Sequence, residues 1–445
     1  MLSAATFIDD ATFFARLRAR EFARLDAQHH AYLDSTGSAL YGESQLRAHH
    51  EILRAGIFGN PHSESRPSRA STEIIDAARA RVLRFFDVDE STHDVIFTAN
   101  TSAAIKLVAE SYPFDARTSC VLSADNHNSM NGIREYASRA GASVRYVGLD
   151  DELRLLPLDD EGPGLLAFPA QSNFSGVCHP LTLVRVAKRR GFDVLLDIAA
   201  YAPTHALSLR EVPADFAALS FYKLFGYPTG VGALIARRDA LARLQRPWFA
   251  GGTVLFASVA ASMHRLRSRH EAFEDGTPNF LSIAALDAGF DLLEEVGMPR
   301  LTSHIEGLTQ MLLDGLTSMP HVRLYGPPDM HSRGGTIAFN VIDVPFDEVE
   351  SRAREAGVSV RGGCFCNPGA SEHAFAIDTS RLRECLASLG DTFTPARLAA
   401  CVDHPVGAVR ASVGMANNAE DVARLLEVVA TFARTTPAPQ LMRRC

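Results

Sequence analysis

A carboxylate and an amine stand at the ends of two successive apolar runs of the sequence. Asp197 closes the segment LLD (195–197), and Lys223 closes the segment SFYK (220–223), 26 residues further on. An amine and a carboxylate at neighbouring strand ends suit pyridoxal phosphate (PLP), because the lysine forms a Schiff base and the carboxylate keeps the pyridine nitrogen protonated. An ordinary ion pair, or two unrelated surface charges, would show the same spacing.

Small polar residues lie upstream, between an apolar run and a helical pattern. Thr101 and Ser102 follow the predicted strand 95–98 and begin the helical segment. Their hydroxyls and the N–H groups of a helix N-terminus would form a cradle for a phosphate, although a plain N-cap explains the same residues. His127 follows the next predicted strand, where its ring could stack on a flat cofactor. A single histidine is more often structural.

Two thiols stand one residue apart in the segment RGGCFCNP (361–368). The glycines and the Asn-Pro pair predict a mobile loop. We expect this loop to be extended, with Cys364 and Cys366 on opposite sides and only one of them facing a given pocket. The functional interpretation is a nucleophilic thiolate. Buried structural thiols are one alternative, and a zinc pair is another, disfavoured because zinc ligands usually have two or more residues between them. Further candidate metal ligands lie downstream at His373, Cys385, Cys401 and His404.

One arginine, Arg410, lies within the apolar segment GAVRAS (407–412). A guanidinium on a strand can bind a carboxylate through two parallel hydrogen bonds. A surface ion pair is the alternative interpretation of this residue alone.

The candidate site residues can form one site only if the strands that precede them end at the same edge of a sheet. Apolar runs alternate with helical or turn segments, which predicts a largely parallel sheet covered on both faces. The predicted strands of this sheet are Asp94–Thr98, Thr118–Ser123, Ser143–Val147, Gly164–Phe168, Phe192–Ile198, Phe216–Phe221 and Val231–Ala236. Two further strands are predicted at Gly335–Asn340 and Gly407–Val413. The predicted helices are Ser71–Phe86, Ser102–Glu110, a long stretch over Leu281–Glu295 and Leu301–Ser318, and Ala419–Ala433.

The predicted fold class is α/β with two domains. A large domain would occupy residues 60–285 and a smaller α/β domain residues 286–445. The N-terminal segment, residues 1–59, would pack partly with the small domain. A length of 445 residues suits two large domains or three of average size. The tail 435–445, with two prolines, is expected to fray.

Composition limits the partners and the compartment. The chain has 44 basic and 52 acidic residues, a net charge of −8, which argues against binding to nucleic acid or to an anionic membrane. No run of about 18 apolar residues occurs, so a membrane span is not expected. Residues 1–20 lack the apolar region of a signal peptide. The seven cysteines are odd in number and scattered, which indicates free thiols in the cytoplasm rather than a disulfide framework.

Together these motifs resemble the class V, fold-type I PLP-dependent enzymes. Among them the sequence is most similar to the cysteine desulfurases, and specifically to the N-terminal desulfurase domain of molybdenum cofactor sulfurases. The combination of FYKLFGYPTG (221–230) with GCFCNPGA (363–370) is the most specific part. The other matching stretches are YLDSTGSAL (32–40), GNPHSES (59–65), IFTANTSAAIKLVAE (96–110), FPAQSNFSG (168–176), VLLDIAAYAPTHALSL (194–209), FEDGTPNFLSIAAL (273–286) and GAVRASVGM (407–415).

The resemblance implies that the chain binds PLP as a homodimer. Lys223 would form the Schiff base, Asp197 would pair with the pyridine nitrogen, and His127 would stack on the ring. The phosphate would be bound by the hydroxyls of Thr101, Ser102 and Ser220, while Thr277 would reach the phosphate of the partner subunit.

The same resemblance implies L-cysteine as the substrate. Asn173 would lie near the substrate or the phenolic oxygen of the cofactor, and Arg410 would bind the substrate carboxylate. Cys366 would accept the sulfur as a persulfide, leaving alanine. Ordinary desulfurases have histidine and glutamine where this chain has Tyr222 and Ala200, a difference that the sulfurase branch shares.

The predicted function is therefore PLP-dependent cysteine desulfuration with transfer of sulfur to an acceptor. Eukaryotic sulfurases continue into a module for molybdenum cofactor that we do not expect here, so the acceptor stays open: molybdenum cofactor, a biosynthetic intermediate, or another molecule. One alternative is a PLP-dependent C–S lyase, epimerase or aminotransferase that does not use Cys366. The other is a catalytically silent sulfur carrier or partner scaffold, against which the joint presence of Lys223, Asp197, Cys366 and Arg410 argues.

Overall fold

A seven-stranded, mainly parallel sheet forms the centre of the larger part of the protein. The structure, a computed structural model, describes residues 9–434. From one edge to the other, the strands are His93–Thr98, Gly232–Arg237, Phe216–Ser220, Phe192–Asp197, Gly164–Pro169, Ser119–Ser123 and Ser143–Val147. Gly232–Arg237 runs antiparallel to both of its neighbours, and the other six strands run in one direction.

Both faces of this large sheet are covered. Alternate residues of the strands belong to two separate hydrophobic clusters, with Leu195 in one and Leu196 in the other. All residues of the inner strand Gly164–Pro169 are buried. Continuous apolar strands of this kind are typical of parallel sheets packed between helices.

The helices are placed as the alternating pattern requires. The α-helices are Asp10–Glu21, Ala23–Ala27, Glu43–Ala55, Arg66–Phe85, Thr101–Ser111, Asn128–Asn131, Ile133–Arg139, Thr182–Arg189, Phe221–Phe225, Arg238–Leu241, Phe280–Ile283, Leu286–Val296, Met298–Thr317, Phe346–Glu355, Pro368–Ala374, Thr379–Leu389, Pro395–Val402 and Ala419–Ala430. Short 3₁₀ helices lie at Arg269–Ala272, Gly390–Thr392 and Thr431–Arg434. The long helical stretch predicted from residue 281 is interrupted at Gly297, whose φ of +76° ends the preceding helix.

A second, four-stranded antiparallel sheet carries Arg410. Its strands are, in order across the sheet, Val322–Tyr325, Thr336–Val341, Ala408–Ser412 and Arg361–Gly363. Arg361 and Arg410 are directly opposite each other in adjacent strands. The strand Arg361–Gly363 leads directly into the loop with the two cysteines, so this small sheet positions both Arg410 and Cys366.

Residues near the start of the chain form a separate two-stranded sheet and one bridge to the four-stranded sheet. Ala31–Tyr32 pairs in parallel with Val358–Ser359, and Asp34 forms a bridge with Ser412. Asp34 is thereby brought beside Arg410. The domain limits at residues 60 and 285 remain a prediction.

A β-hairpin that the sequence did not predict lies outside the two sheets. It consists of Val254–Ser258 and Met263–Leu266. Its large apolar side chains are exposed, Val259 at 98 % of its surface. The others are Leu255, Phe256 and Met263.

One pair of cysteines corrects the prediction of free thiols. Cys385 and Cys401 form a disulfide, with their Cα atoms 5.8 Å apart. They lie on helices Thr379–Leu389 and Pro395–Val402, which the sequence analysis did not predict and which bring the two thiols side by side. Cys120, Cys178, Cys364 and Cys366 are free.

The predicted strands of the large sheet are confirmed, each within one residue at either end. The helix predicted from Ser71 begins earlier, at Arg66, because Ser65 is the residue that caps it. Within residues 9–434 no helix has the length and apolar character needed to cross a membrane. The fraying predicted for the tail 435–445 concerns residues outside this range. So does part of the prediction that residues 1–20 contain no signal peptide.

Candidate active site

A cavity of about 170 Å³ opens at the carboxyl edge of the large sheet. Most of the predicted site residues line it: Thr101, Ser102, His127, Asn173, Asp197, Ser220 and Lys223, together with Ala200 and Tyr222. Arg410, Cys366 and Thr277 are not part of this lining. The carboxyl ends of parallel strands are where α/β proteins commonly bind ligands.

Lys223 and Asp197 reach the cavity from adjacent strand ends. Burial lowers the pKa of the Lys223 amine, while the negative charge of Asp197 opposes this effect. Asp197 is 9 % exposed, and its Oδ1 accepts a hydrogen bond of 2.9 Å from the Ala199 N–H. This bond fixes the carboxylate at the strand end. A lysine with a lowered pKa can act as a nucleophile and as a base.

The N-terminus of helix Thr101–Ser111 lies at the same cavity. Ser220 Oγ accepts from the Thr101 N–H at 2.8 Å and lies 2.6 Å from Thr101 Oγ1. Asn100 caps the helix by accepting from the Ala103 N–H at 3.0 Å, and Ser102 Oγ lies 2.6 Å from another hydroxyl, Ser129 Oγ. Hydroxyls and free N–H groups at a helix N-terminus suit a phosphate, so a cap and an anion cradle are present together.

His127 is held by the short helix that it caps. Its Nδ1 accepts from the Ser129 N–H at 3.1 Å. Burial lowers the pKa of the ring, and the positive charge of Lys223 lowers it further. The neutral form of the imidazole is therefore favoured, with Nδ1 as the acceptor for the Ser129 N–H. A neutral, fixed ring at this wall of the cavity suits stacking on a flat cofactor.

The donor set fits PLP at each of its ends. The Lys223 amine suits the aldehyde carbon and the Asp197 carboxylate suits the ring nitrogen. The hydroxyls at the start of helix Thr101–Ser111 suit the phosphate, and His127 suits the face of the ring. One cavity contains all of these groups.

Arg410 is buried and is not a surface residue. It is 3 % exposed, and it donates from Nη2 to Asp34 Oδ1 at 2.8 Å and from Nη1 to the Asn173 carbonyl oxygen at 2.9 Å. The guanidinium carbon lies 4.9 Å from the centre of the Phe365 ring. Its Nε has no hydrogen-bond partner within the described part of the chain. Burial lowers the pKa of Arg410, and the Asp34 carboxylate opposes this effect. An arginine stays charged under such conditions.

Asp34 connects Arg410 to a second arginine. Arg361 donates from Nη2 to Asp34 Oδ2 at 2.5 Å and from Nε to the same oxygen at 3.0 Å. The three side chains carry one net positive charge. That charge matches a single carboxylate of a substrate.

The loop with the two cysteines is anchored and is not the mobile loop that its glycines predict. Asn173 Nδ2 donates to the Phe365 carbonyl oxygen at 2.7 Å, and the Asn128 N–H donates to the Cys366 carbonyl oxygen at 2.7 Å. Asn367 Nδ2 donates to Asp125 Oδ1 at 2.6 Å. Three polar contacts to the large-sheet part of the protein thus fix the loop, which glycine content alone does not reveal.

The loop is also a turn and is not extended. Phe365 and Cys366 have φ values of +55° and +56°, in the left-handed region. An extended segment would in fact have placed Cys364 and Cys366 on the same face, whereas in this turn Cys366 is exposed and Cys364 is partly buried. The backbone of Cys366 is bonded to the segment that carries His127, because its carbonyl oxygen accepts from the Asn128 N–H. Within residues 9–434 no group of three or more His, Cys, Asp or Glu residues could hold a metal ion.

Thr277 does not reach the cavity of its own chain. It is exposed, and its Oγ1 accepts from Asn60 Nδ2 at 3.1 Å. Its predicted contact with the phosphate of a partner subunit remains a prediction.

Two acidic residues of the site were missed by the sequence analysis. Asp34 lies within the matching stretch YLDSTGSAL, but nothing in its spacing relates it to Arg410. Asp125 begins the segment DNHN (125–128) that drew attention to His127. A carboxylate two residues before a candidate cofactor residue is the signal that was available for Asp125.

Comparisons with known proteins agree with this geometry. The model of the aminotransferase class V family matches residues 31–425. The molybdenum cofactor sulfurase of Arabidopsis thaliana is 34 % identical to this chain over 94 % of its length, and that of Anopheles gambiae is 38 % identical over 95 %. The chain spans 58 % and 59 % of the length of these two relatives.

A solved structure shares the fold over nearly the whole chain. The apo cysteine desulfurase of Thermococcus onnurineus NA1 superposes with a TM-score of 0.80 at 25 % identity, covering 95 % of this chain and 98 % of that one.

Proposed function

Because the chain belongs to the aminotransferase class V family, we propose that it is a PLP-dependent cysteine desulfurase that converts L-cysteine to L-alanine and holds the sulfur as a persulfide on Cys366. The observation that carries the proposal is the cavity that joins Lys223 and Asp197 to a phosphate cradle. The free cysteine Cys366 is anchored to the same part of the protein, since its carbonyl oxygen accepts from the Asn128 N–H at 2.7 Å.

Each part of the cavity would hold one part of the cofactor. When bound, PLP supplies an electron sink that weakens the bonds at Cα and Cβ of an amino acid. Lys223 would hold the aldehyde carbon, Asp197 the ring nitrogen and His127 the face of the ring. The phosphate would be bound by Thr101, Ser102 and Ser220 at the helix N-terminus.

The buried arginine would orient the substrate. Arg410 has one unpartnered N–H on Nε and one remaining N–H on each terminal nitrogen after its bonds to Asp34 and Asn173. These donors would bind the α-carboxylate of cysteine. Asn173 would lie between the carboxylate and the cofactor, since its backbone oxygen contacts Arg410 and its side chain lines the cavity.

Lys223 and Cys366 would carry out the proton and sulfur transfers. The neutral Lys223 amine, favoured by its lowered pKa, would take the Cα proton of the substrate and later return a proton to Cβ. The Cys366 thiolate would attack the substrate sulfur. A sulfur–sulfur bond forms, the carbon–sulfur bond breaks, and its electron pair stays on the substrate carbon, which leaves as alanine after protonation.

We propose that the exposed Cys366 passes its sulfur to an acceptor that approaches from solvent. The relatives named as molybdenum cofactor sulfurases make molybdenum cofactor, or an intermediate of its biosynthesis, the first acceptor to test. The chain spans less than two thirds of those relatives, so another acceptor is an equal candidate.

The proposed active form is a homodimer. The hairpin Val254–Leu266 exposes Leu255, Phe256, Val259 and Met263, and a second copy of the chain would cover these side chains. Thr277 would bind the phosphate of the partner subunit. Light scattering of the PLP-loaded, active protein should give twice the mass of one chain. A mass equal to one chain in an active sample would exclude this assembly.

The cytoplasm is the proposed compartment. The seven cysteines of the sequence are odd in number and scattered, which suits a reducing environment. The Cys385–Cys401 disulfide gives no support to this proposal. Fractionation of cells that express the untagged protein would test it.

One experiment separates the proposed desulfurase from its rivals. The purified protein is loaded with PLP and incubated with L-cysteine, and alanine is assayed while intact mass is recorded. A desulfurase yields alanine and one additional sulfur atom on the protein. A C–S lyase yields pyruvate and sulfide, an aminotransferase yields a keto acid, and a silent scaffold neither binds PLP nor consumes cysteine.

A further inference from the structure

A buried asparagine ties the Cys366 loop to the segment that carries His127. Asn367 is fully buried and directly follows Cys366, and its Nδ2 donates to Asp125 Oδ1 at 2.6 Å. Asp125 lies two residues before His127. We infer that Asp125, acting through Asn367, is a positioning residue that holds the Cys366 sulfur at a fixed place relative to the cofactor ring. This inference rests on the proposed role of Cys366.

Asp125 is itself held from two other sides. Its Oδ1 also accepts from Ser172 Oγ at 2.8 Å, and its Oδ2 lies 2.7 Å from His179 Nε2. Asp125 and His179 both have fully buried side chains. Three side chains contact this one buried carboxylate and fix its position and orientation. A group that is hydrogen-bonded to the carboxylate is therefore held in place as well.

The other contacts of the loop lead to the same segment. The Cys366 carbonyl oxygen accepts from the Asn128 N–H at 2.7 Å. At Gly369 the backbone is so close that an added Cβ would lie 2.2 Å from the Ala124 carbonyl oxygen. Residues 124–128 thus contact the loop at two positions and the helix that follows it at a third. The nucleophile and the ring-stacking histidine belong to one rigid unit.

The sulfur transfer requires such a unit. Attack of a thiolate on a substrate sulfur depends on the distance and alignment of the two sulfur atoms, and small displacements reduce the rate strongly. Cys366 has a left-handed backbone conformation, with φ +56°, that a non-glycine residue keeps only when its surroundings enforce it. The bond between Asn367 and Asp125 supplies part of that restraint.

Asn367 has two further contacts, because it caps helix Pro368–Ala374 and its Nδ2 also donates to Asn173 Oδ1 at 3.0 Å. Two substitutions keep the cap while removing the contact with Asp125, and the double variant below, which restores only the Asp125 contact, separates it from the contact with Asn173. Asn367 Oδ1 accepts from the Ala370 N–H at 3.3 Å. Asn367→Asp keeps a good capping residue but sets a carboxylate against Asp125. Asn367→Ser also keeps a cap, and its shorter side chain no longer reaches Asp125. Asn418→Ser is the matched control, because Asn418 caps helix Ala419–Ala430 by accepting from the Asp421 N–H.

The expected result in the PLP-loaded enzyme is a loss confined to the sulfur step. Both Asn367 variants should keep the visible absorption band of bound PLP and its change on addition of L-cysteine. The rate of persulfide formation in a single turnover should fall about tenfold or more, since a hydrogen bond to a charged group is removed. Asn418→Ser should react at the wild-type rate. The double variant Asp125→Asn/Asn367→Asp exchanges donor and acceptor and should recover a large part of the loss, which a merely structural role does not predict.

Two outcomes overturn the inference. The first is a wild-type rate of persulfide formation in both Asn367 variants. The second is that both variants lose the PLP absorption band and that the double variant does not restore it. Cys366→Ala distinguishes this failure from failure of the proposed function. If Cys366→Ala still makes alanine, the persulfide role of Cys366 is wrong. If it is inactive while both Asn367 variants react normally, only the positioning role is wrong.

Discussion

Arg410 and Asp34 form a buried ion pair, with Arg410 Nη2 2.8 Å from Asp34 Oδ1. A buried arginine without a partner would be costly, so Asp34 keeps Arg410 charged and in place before any substrate arrives. Asp34 also binds Arg361, and the cluster of two arginines and one aspartate keeps a single positive charge. The carboxylate of one amino acid balances it.

Arg410→Ala should weaken the use of cysteine without releasing PLP. The variant removes the donors for the substrate carboxylate, and each hydrogen bond to a charged group contributes about 1.5–3 kcal/mol. We expect kcat/KM for L-cysteine to fall about tenfold or more, mainly through KM, with an unchanged PLP absorption band. Wild-type kinetics would instead assign the carboxylate to Arg361.

Asp34→Asn should change which amino acids compete for the site. The substitution keeps the size of the side chain and raises the net charge of the cluster from one to two. L-aspartate, with a second carboxylate, should then gain about tenfold in affinity relative to L-alanine, because attraction between charges at a few Å is of this order inside a protein. The two affinities are measured as inhibition constants. An unchanged ratio would show that Asp34 does not set the charge of the site.

Lys223→Ala and Asp197→Ala should impair different properties of bound PLP. Lys223→Ala should abolish turnover and the absorption band of lysine-bound PLP, since no other lysine lines the cavity. Asp197→Ala should bind PLP more weakly and turn over more slowly, because the ring nitrogen loses its partner. Absorption spectra, PLP titration and alanine assays check both variants. Unchanged spectra and rates in both would contradict the assignment of the cavity to PLP.

Cys366→Ala and Cys364→Ala should differ in the sulfur step. Cys366 is the more exposed of the two thiols and does not line the PLP cavity, so its loss should leave PLP bound but prevent formation of alanine and persulfide. Cys364→Ala should keep most of the activity. Mass spectrometry after reaction with L-cysteine locates the persulfide. A persulfide on Cys364 in a fully active Cys366→Ala enzyme would reverse the two roles, and full activity of the double variant would remove a protein thiol from the reaction.

Acidification should destabilise the fold through the partly buried His304. Burial lowers the pKa of His304, which lies 3.0 Å from the Asn417 carbonyl oxygen through Nε2 and stacks on Phe14. In the unfolded chain the histidine has its ordinary pKa of about 6.5, so below that pH the unfolded chain binds more protons than the folded protein. The stability that is present above this pH is therefore lost as the pH falls. The melting temperature should decrease from pH 7.5 to about 5.5. His304→Gln should show a smaller decrease over this range, and an equal decrease would exclude His304 as a contributor.

Strand positions and cofactor residues were predictable because each depends on local sequence. Apolar runs of five or six residues fix the strands, and the polar residues that follow them fall at one sheet edge whatever the rest of the chain does. Asp197, Lys223 and Thr101 are examples. Each lies at the end of a strand or the start of a helix whose limits the apolar pattern sets.

Contacts across long stretches of sequence were not predictable. Asp34 has no periodicity or spacing that relates it to Arg410, and only the pairing of the N-terminal segment with the small sheet brings them together. The loop at Cys366 looked mobile from its glycines, whereas tertiary contacts with Asp125 and Asn128 fix it. The pairing of Cys385 with Cys401 depends on two helices whose packing the sequence analysis did not predict.

The ion pair of Asp34 and Arg410 also affects the order in which the protein acquires its parts during synthesis. Asp34 leaves the ribosome early, and its partner follows 376 residues later. At translation rates of about 5–20 residues per second, Arg410 is synthesised roughly 20–75 seconds after Asp34. The residues of one chain that line the PLP cavity all precede Gly232–Arg237 and leave the ribosome within that interval. A nascent chain should therefore become competent to bind the cofactor before it can recognise an amino acid.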